Sequence, residues 1–465
     1  MKNAPSEPRP RTVRDPLWHN IRLEATAAAV VDTPEFQRLR RVKQLGFAHL
    51  VYPGAVHSRF LHALGVYHLT SRAIERLRAA GELERLRADE RERIPLVRLA
   101  ALLHDVGHYA FSHAMEEVGP GSIPGHHEEM AARFLGADPI REALQPLQPD
   151  APERIAELIG GGSSHPLQGL VAGSLDLDKI DYLARDSFFC GVPYGSVDVD
   201  RLVDALTLAS ERPGGPVEVA VSEKGIAALE SLLFSKYQMF RNVYWHHAVR
   251  AATVAFRRLV ETALGSGLLE REDLPGRTDE ELMHLLAVRA DAVRADAVPS
   301  AAAPDGAVRP VPADAESIRL LLASLQRRRL PKRALEVFGD RLPGGIAAWV
   351  TERPELARRL EERLAAEWGL PPGTVLLDYP AYPGMLALSL LLVRRSGEVR
   401  RLTSAGEEGL IDLPRLSASL HHAARVFRVF VLARAEAKDP GPLLPLLEAP
   451  PSQVEERLAQ GRSLY

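Results

Sequence analysis

The chain has 465 residues, 46% hydrophobic and 26% charged, an ordinary balance for a globular protein with a large core. Its 58 basic and 61 acidic residues leave a net charge of −3, which gives no reason to expect a broad nucleic-acid-coating face, and a single cysteine, Cys190, excludes an internal disulfide and a thiolate zinc cage. No stretch approaches the roughly 18 apolar residues of a membrane span, and the opening "MKNAPSEPRPRTVRDP" lacks the apolar core of a signal peptide, so the expectation is a cytoplasmic protein with no membrane partner.

In chain order, residues 1–16 read as a polar arm. "TPEFQRLRRVKQLG" (Thr33 to Gly46) reads as a short helix stopped by glycine, and "YPGA" (Tyr52 to Ala55) as a turn. From His62, apolar residues at Val66, Leu69, Ala73, Ile74 and Leu77 keep helical spacing. "IPLVRLAALLHDVGH", "HHEEMAARFLG" and "SLDLDKIDYLARDSFF" are three more helices, and "PVEVAV" (Pro216 to Val221) alternates like a strand. A long helical stretch runs from about Lys224 to Leu264. Residues 290–315 are Ala/Pro-rich and aperiodic, a surface insertion. Helical patterns resume at Ala315 to Phe338 and Glu355 to Trp368, and "GTVLLDYP", "LALSLLLVRR" and "ARVFRVFVLAR" read as strands. The expected organisation is an arm (1–16), a helical catalytic domain (17–265), a helical extension holding the insertion (266–369) and a small α+β C-terminal lobe (370–465), within a mainly α fold.

The chemistry concentrates in "ALLHDVGHYAFSH", Ala101 to His113. A core helix ends in the pair His104–Asp105, followed by Gly107 and His108. Chance alone yields about one His-Asp dipeptide in a chain of this composition, so the pair by itself is as well read as a capped helix end. Adjacent helical residues point about 100° apart, yet they can converge on one ion where the helix stops, and Gly107 supplies that stop. His62 and Asp178 are further ligand types at the starts of other helices. Alone, His62 is equally a satisfied core histidine and Asp178 an N-cap. Two imidazoles and two carboxylates together suit Mn, Fe, Co, Ni or Zn, with positions left for solvent and substrate. Asp178, Tyr182 and Asp186 fall at i, i+4 and i+8 and line one helix face, leaving Ile180 and Leu183 for the core. "QMFRNVYWHHAVRAA" adds an aromatic and basic cluster, Tyr244, Trp245, His246, His247 and Arg250, suited to a base or sugar with phosphates, although Trp245 reads better as part of a buried aromatic stripe.

"YPGAVHSRFLHALGVYHL", "LLHDVGHYAFSH", "HHEE" and "LDLDKIDYLARD", in that order, resemble the HD-domain phosphohydrolases, nearest to the deoxynucleoside triphosphate triphosphohydrolase branch that includes the sterile-alpha-motif-and-HD-domain enzyme. The resemblance is strong over residues 12–265 and thinner beyond. It implies an all-helical HD domain with a small C-terminal lobe. His62, His104, Asp105 and Asp178 match the metal ligands, and Mg is an option for the triphosphate itself. His108 and His127 match catalytic histidines, with Glu128 following His127. Arg59, Lys179 and Tyr182 match phosphate contacts; Gln44, Leu45, Asp186 and Tyr244 match the residues that hold the deoxyribose. His247 departs from the pattern, standing where relatives often carry lysine. The implied reaction is hydrolysis of a deoxynucleoside triphosphate at the α-phosphorus to deoxynucleoside and triphosphate, with His108 or His127 protonating the leaving 5′-oxygen and Glu128 or a neighbouring carboxylate orienting the imidazole.

Asp32, Gln37 and Arg40 resemble the guanine-nucleotide activator contacts of tetrameric relatives, which implies an activating nucleotide and a homo-oligomer, dimer or tetramer. Two rival functions share these residues. One is an HD phosphodiesterase or nucleotidase acting on another phosphate ester. The other is a nucleotide- or nucleic-acid-binding regulator, which "LQRRRLPKR" (Leu325 to Arg333) keeps open although nucleic acid is not required.

Overall fold

The computed structural model describes residues 9–119, 121–195, 197–297, 313–339, 349–380, 389–402, 419–420, 423–432 and 443–461. The fold is mainly α. Helices Arg59–Ala79, Ile94–Leu103, His127–Leu135, Ala151–Ile159, Leu177–Cys190 and Ile226–Met239 surround the largest core, which includes Val66, Leu69, Ile74, Leu99, Leu102, Ile180 and Leu183. A second core packs helices His247–Gly265 and Ala313–Gln326 through Phe256, Leu259, Ile318 and Leu321.

Residues 9–16, expected as part of a polar arm, are built into the fold. Arg11–Asp15 (β1) pairs antiparallel with His19–Leu23 (β2), Arg11 opposite Leu23. The reason is electrostatic. Asp15 is fully buried, accepts from the backbone of Leu17 and Trp18, and pairs with buried Arg185 at 2.8 Å, so the hairpin is tied to the domain's central helix.

The helix Thr33 to Gly46 is shorter than expected. It covers Pro34–Arg38, capped by the Thr33 hydroxyl accepting from Phe36 N–H, and a 3₁₀ turn Leu39–Arg41 follows. The helix bearing the His-Asp pair also stops early, at Leu103, four residues before Gly107. Gly107 serves a different need. A Cβ there would lie 2.0 Å from the carbonyl oxygen of His127, so only glycine lets the His127–Leu135 helix start against this loop.

The expected long helix from Lys224 is two helices, Ile226–Met239 and His247–Gly265, separated by a π-helical turn Phe240–Tyr244. The pattern expected as helical from Ala315 to Phe338 is a helix only to Gln326. Pro331, without an N–H, and Arg328 at φ 53° end it, and the alternating stretch Lys332–Phe338 is strand β5. A helix Asp279–Ala297 precedes residues 298–312, the part of the Ala/Pro-rich insertion that lies outside the described residues.

The remaining strands are β3 (Leu206–Ala209), β4 (Glu218–Ser222), β6 (Val375–Asp378), β7 (Leu390–Val393), β8 (Val399–Leu402) and β9 (Val426–Val431). One sheet runs β3-β4-β7-β8, with β4 and β7 parallel, Ala220 opposite Leu391; the other runs β5-β9-β6, all antiparallel. Strands from the C-terminal hundred residues thus complete a sheet begun next to the helical core. No helix among the described residues is long and apolar enough to cross a membrane.

Candidate metal centre and active site

Four side chains from three stretches meet at one point. His62 sits in the first turn of the Arg59–Ala79 helix, His104 and Asp105 just past Leu103, and Asp178 in the first turn of Leu177–Cys190. His62 Nε2 lies 3.2 Å from His104 Nε2, 2.8 Å from Asp178 Oδ1 and 3.8 Å from Asp105 Oδ2; His104 Nε2 lies 3.4 Å from Asp105 Oδ1 and 3.6 Å from Asp178 Oδ1. The donor set fits a divalent cation of the imidazole-tolerant kind. Asp178 is not its own helix's cap: Asp176 is, accepting from Lys179 N–H, which leaves the Asp178 carboxylate for the centre.

The far nitrogen of each imidazole is occupied. His62 Nδ1 lies 2.8 Å from Asp181 Oδ2, and His104 Nδ1 lies 2.9 Å from the Ala101 carbonyl, so both Nδ1 atoms donate and both Nε2 lone pairs face inward. Asp181 is itself held by Arg185 at 2.8 Å and by the indole N–H of Trp18. A Cβ on Gly65 would fall 2.0 Å from the Asp181 carboxylate, so a mid-helix glycine makes room for this support. Burial disfavours a charged His62, yet Asp178 and Asp181 outweigh it and lift its pKa to about 10. Without a metal, a proton takes the place of the cation. The side chains of His62 and Asp105 are 1% and 4% exposed and that of Asp178 is 31% exposed, so the centre opens on the Asp178 side.

A second cluster abuts the first. His108 Nε2 lies 3.1 Å from Asp105 Oδ1, and its ring stacks on His127 at 4.1 Å. Glu116 binds His127 Nδ1 at 2.6 Å and His113 Nδ1 at 3.0 Å. Burial works against the charge on Glu116, but these histidines hold its carboxyl far below the usual carboxylate range. Burial likewise opposes protonation of His127, and Glu116 outweighs it and raises its pKa. For His108, burial and then the charge of Arg59 push the pKa well down, more than Asp105 can restore. The carboxylate that orients His127 Nδ1 is therefore Glu116; Glu128 stands 3.4 Å from Nε2. Phe111 and Ser112, at φ 59° and 52°, occupy the left-handed region here.

Arg59 is buried and already engaged, donating to Asp105 Oδ2 at 2.7 Å and Ser112 Oγ at 2.6 Å, while its Nη2 has no hydrogen-bond partner among the described residues. Lys179 donates to the Gly173 carbonyl at 2.9 Å and pairs with Asp176. Tyr182 stands on the face shared by Asp178 and Asp186, and burial followed by those carboxylates pushes its hydroxyl well above the usual pKa. Asp186 accepts from Tyr244 Oη at 2.6 Å and faces His57 Nε2 at 2.8 Å; the Gln44 N–H donates to the His57 carbonyl, and Leu45 packs against the small cluster of Ala48, Ala55 and Val249. Gln44 Oε1 and His57 Nδ1 are buried without hydrogen-bond partners among the described residues.

Trp245 is buried, as its place in an aromatic stripe predicts. Arg250 is a correction: it does not face a phosphate site but is buried against Glu117 and Asp378, at 2.6 Å from each. Asp32 pairs with Arg11, Gln37 Nε2 donates to the Val31 carbonyl, and Arg40 Nε donates to Gln37 Oε1 while its guanidinium covers the Phe60 ring at 3.6 Å. Sequence reasoning missed Asp181, Glu116, His57 and Lys236. The Lys236 ammonium lies 5.8 Å from the centre of the Phe240 ring, and burial followed by Lys179 lowers its pKa to about 8. Only Glu116 carried a signal, its place three residues after His113.

A helical core holding a cluster of two imidazoles and two carboxylates defines a mainly α protein that can hold a divalent metal. Residues 59–186 match the HD domain, and residues 197–299 and 307–407 match the HD associated region. The chain thus carries an HD domain followed by the HD associated region. It is 33% identical over 279 residues to an uncharacterized protein of Methanocaldococcus jannaschii, covering 60% of this chain and 55% of that one. It is 35% identical over 228 residues to the deoxynucleoside triphosphate triphosphohydrolase SAMHD1 homolog of Dictyostelium discoideum, covering 46% and 42%. The chain thus spans about half the length of the curated relatives it matches. A phosphohydrolase from Bacteroides thetaiotaomicron shares the fold, with a TM-score of 0.66 at 21% identity over 91% of this chain and 100% of that one.

Proposed function

We propose that the chain hydrolyses deoxynucleoside triphosphates to deoxynucleoside and triphosphate. The observation that carries this reading is the meeting of His62, His104, Asp105 and Asp178 with both imidazole tautomers fixed inward. A divalent cation held by these four residues would polarise a phosphoryl oxygen and make hydroxide available near neutral pH. His127, whose pKa Glu116 raises, is the better proton donor to the leaving 5′-oxygen, because that of His108 is pushed well down. Lys179 and the unpaired Nη2 of Arg59 would meet the phosphates, with Tyr182 beside them. Asp186 and Tyr244, with Gln44 and Leu45, would cradle the sugar, and Tyr244 would crowd a 2′-hydroxyl. The Dictyostelium relative and SAMHD1 of Gallus gallus, 29% identical over 268 residues, are both deoxynucleoside triphosphate triphosphohydrolases by name, which supports this substrate class.

The test is incubation of metal-loaded protein with each deoxynucleoside triphosphate, alone and mixed, with products identified. Deoxynucleoside plus inorganic triphosphate is expected. Pyrophosphate or monophosphate release, or cleavage of a monophosphate or cyclic nucleotide instead, would transfer the reading to an HD nucleotidase or phosphodiesterase. Asp105→Ala should lose metal and turnover together; a variant that kept normal hydrolysis would remove the metal assignment. We further propose that Asp32, Gln37 and Arg40 bind a guanine nucleotide that activates a homo-oligomer. A rate and an oligomeric mass both unmoved by GTP or dGTP would dismiss it.

A further inference from the structure

The segment after the His-Asp pair is braced through the C-terminal sheet. Arg250, 3% exposed, grips Glu117 with both terminal nitrogens, Nη1 to Oε1 at 2.6 Å and Nη2 to Oε2 at 2.7 Å. Its other edge holds Asp378, with Nη2 at 2.6 Å and Nε at 3.1 Å. Asp378 ends β6 and stands opposite Arg428 on β9, which stands opposite Glu336 on β5. Arg428 Nε donates to Glu336 at 2.9 Å and its Nη1 lies 3.8 Å from Asp378. One row of the sheet therefore reads Glu336, Arg428, Asp378, alternating in charge, and Arg250 carries the alternation to Glu117. Glu117 caps the helix His113–Glu116, only four residues long. Such a helix has little stability of its own. The next residue back is Glu116, the carboxylate that holds His127 and His113.

We propose that Arg250 is a positioning residue. By gripping Glu117 it sets the orientation of Glu116, and so of the His127 imidazole, from the C-terminal sheet. A bidentate, buried guanidinium–carboxylate pair is the strongest fixed-geometry contact available to side chains, and here it anchors the shortest element of the site. The proposal rests on the reading that Glu116 and His127 serve the chemistry. Its effect is on placement: His127 also faces Glu128 on its own helix and His108 and Asp105 on the loop, none of which Arg250 touches.

The experiment is a double-mutant cycle on the full, metal-loaded chain with Arg250→Met and Glu116→Gln. With whichever phosphate ester the wild type cleaves, Arg250→Met should lower kcat about tenfold, with KM and bound metal unchanged. Arg250→Lys should recover part of the loss. In the Glu116→Gln background Arg250→Met should have no further effect, because its action passes through that carboxylate. An equal loss in both backgrounds would make Arg250 merely structural and overturn the proposal. If Arg250→Met does not fold, Glu117→Gln, neutral and of the same shape, takes its place in the cycle. The cycle is also read without turnover from the His127 resonance in ¹³C-histidine-labelled protein, assigned by its loss in His127→Gln. That resonance should move in Arg250→Met and stay fixed when Glu116→Gln is already present; no movement in either background also overturns the proposal. A wild type that cleaves no deoxynucleoside triphosphate would remove the substrate reading and leave this arm to decide.

Discussion

Each imidazole of the metal centre depends on a residue that never touches the ion. His62 offers Nε2 only because Asp181 takes the Nδ1 proton, and Asp181 is ionised only because Arg185 and His62 overcome its burial and bring its pKa down to about 2. Asp181→Asn keeps the shape but can present its amide nitrogen to Nδ1 and let the tautomer reverse. Metal affinity should fall roughly 10- to 100-fold, with the other three ligands intact. Isothermal titration of the metal-free variant with Mn or Zn measures it, and an unchanged affinity would mean the tautomer is fixed by something other than Asp181. At this scale much of the site was legible. His62, His104, Asp105 and Asp178 are ligand types at helix starts and stops, and their meeting follows from the ordered motifs. Asp181 was not, because it falls between the i, i+4 and i+8 positions of the face on which Asp178 and Asp186 lie. Whether such a carboxylate has room to support an imidazole depends on a glycine across the interface, Gly65.

Among the elements, the broken helix carries the most consequence. A continuous helix from Ile226 would shift every residue after Met239 round the axis; the π-helical turn at Phe240–Tyr244 instead brings Tyr244 onto Asp186. Periodicity alone could not show the break, since Phe240, Val243 and Tyr244 still keep a helical spacing. The strand at Lys332–Phe338 was hidden for a related reason: apolar residues at 335, 337 and 338 satisfy either period, and its partner β9 lies about ninety residues later. On the intact helix Ile226–Met239, Lys236 allows a test by pH. Its folded pKa, about 8, lies below the ordinary 10.5, so the folded chain releases this proton first. The burial cost is therefore fully present below pH 8 and is lifted as the pH rises to 10.5, where the unfolded chain deprotonates too. Relative to Lys236→Met, wild-type stability should rise by about 2–3 kcal/mol between those limits. Chemical-denaturation curves for both proteins at a series of pH values read this; parallel profiles would place Lys236 in a wetter setting.

For the molecule as a whole, one cation would tie together three segments widely separated in sequence: the start of the Arg59–Ala79 helix, the loop after Leu103 and the start of Leu177–Cys190. The fold does not need the ion to hold these segments close, because protonated His62 already bridges Asp178 and Asp181. Metal removal should therefore lower the melting temperature without unfolding the chain. The size of that drop must depend on pH. His62 has a folded pKa of about 10, so through the neutral range every metal ion that binds must displace its proton. Apparent metal affinity then gains up to about tenfold per pH unit below that pKa. The stabilisation at fixed free metal grows with it, reaching about 2.7 kcal/mol once the metal is at a hundred times its dissociation constant. Melting curves of metal-loaded and chelator-stripped protein should diverge as the pH is raised from 6 to 9. Curves that stay a constant distance apart would show that His62 is not the group the metal displaces, and curves that coincide would show that these four side chains hold no metal.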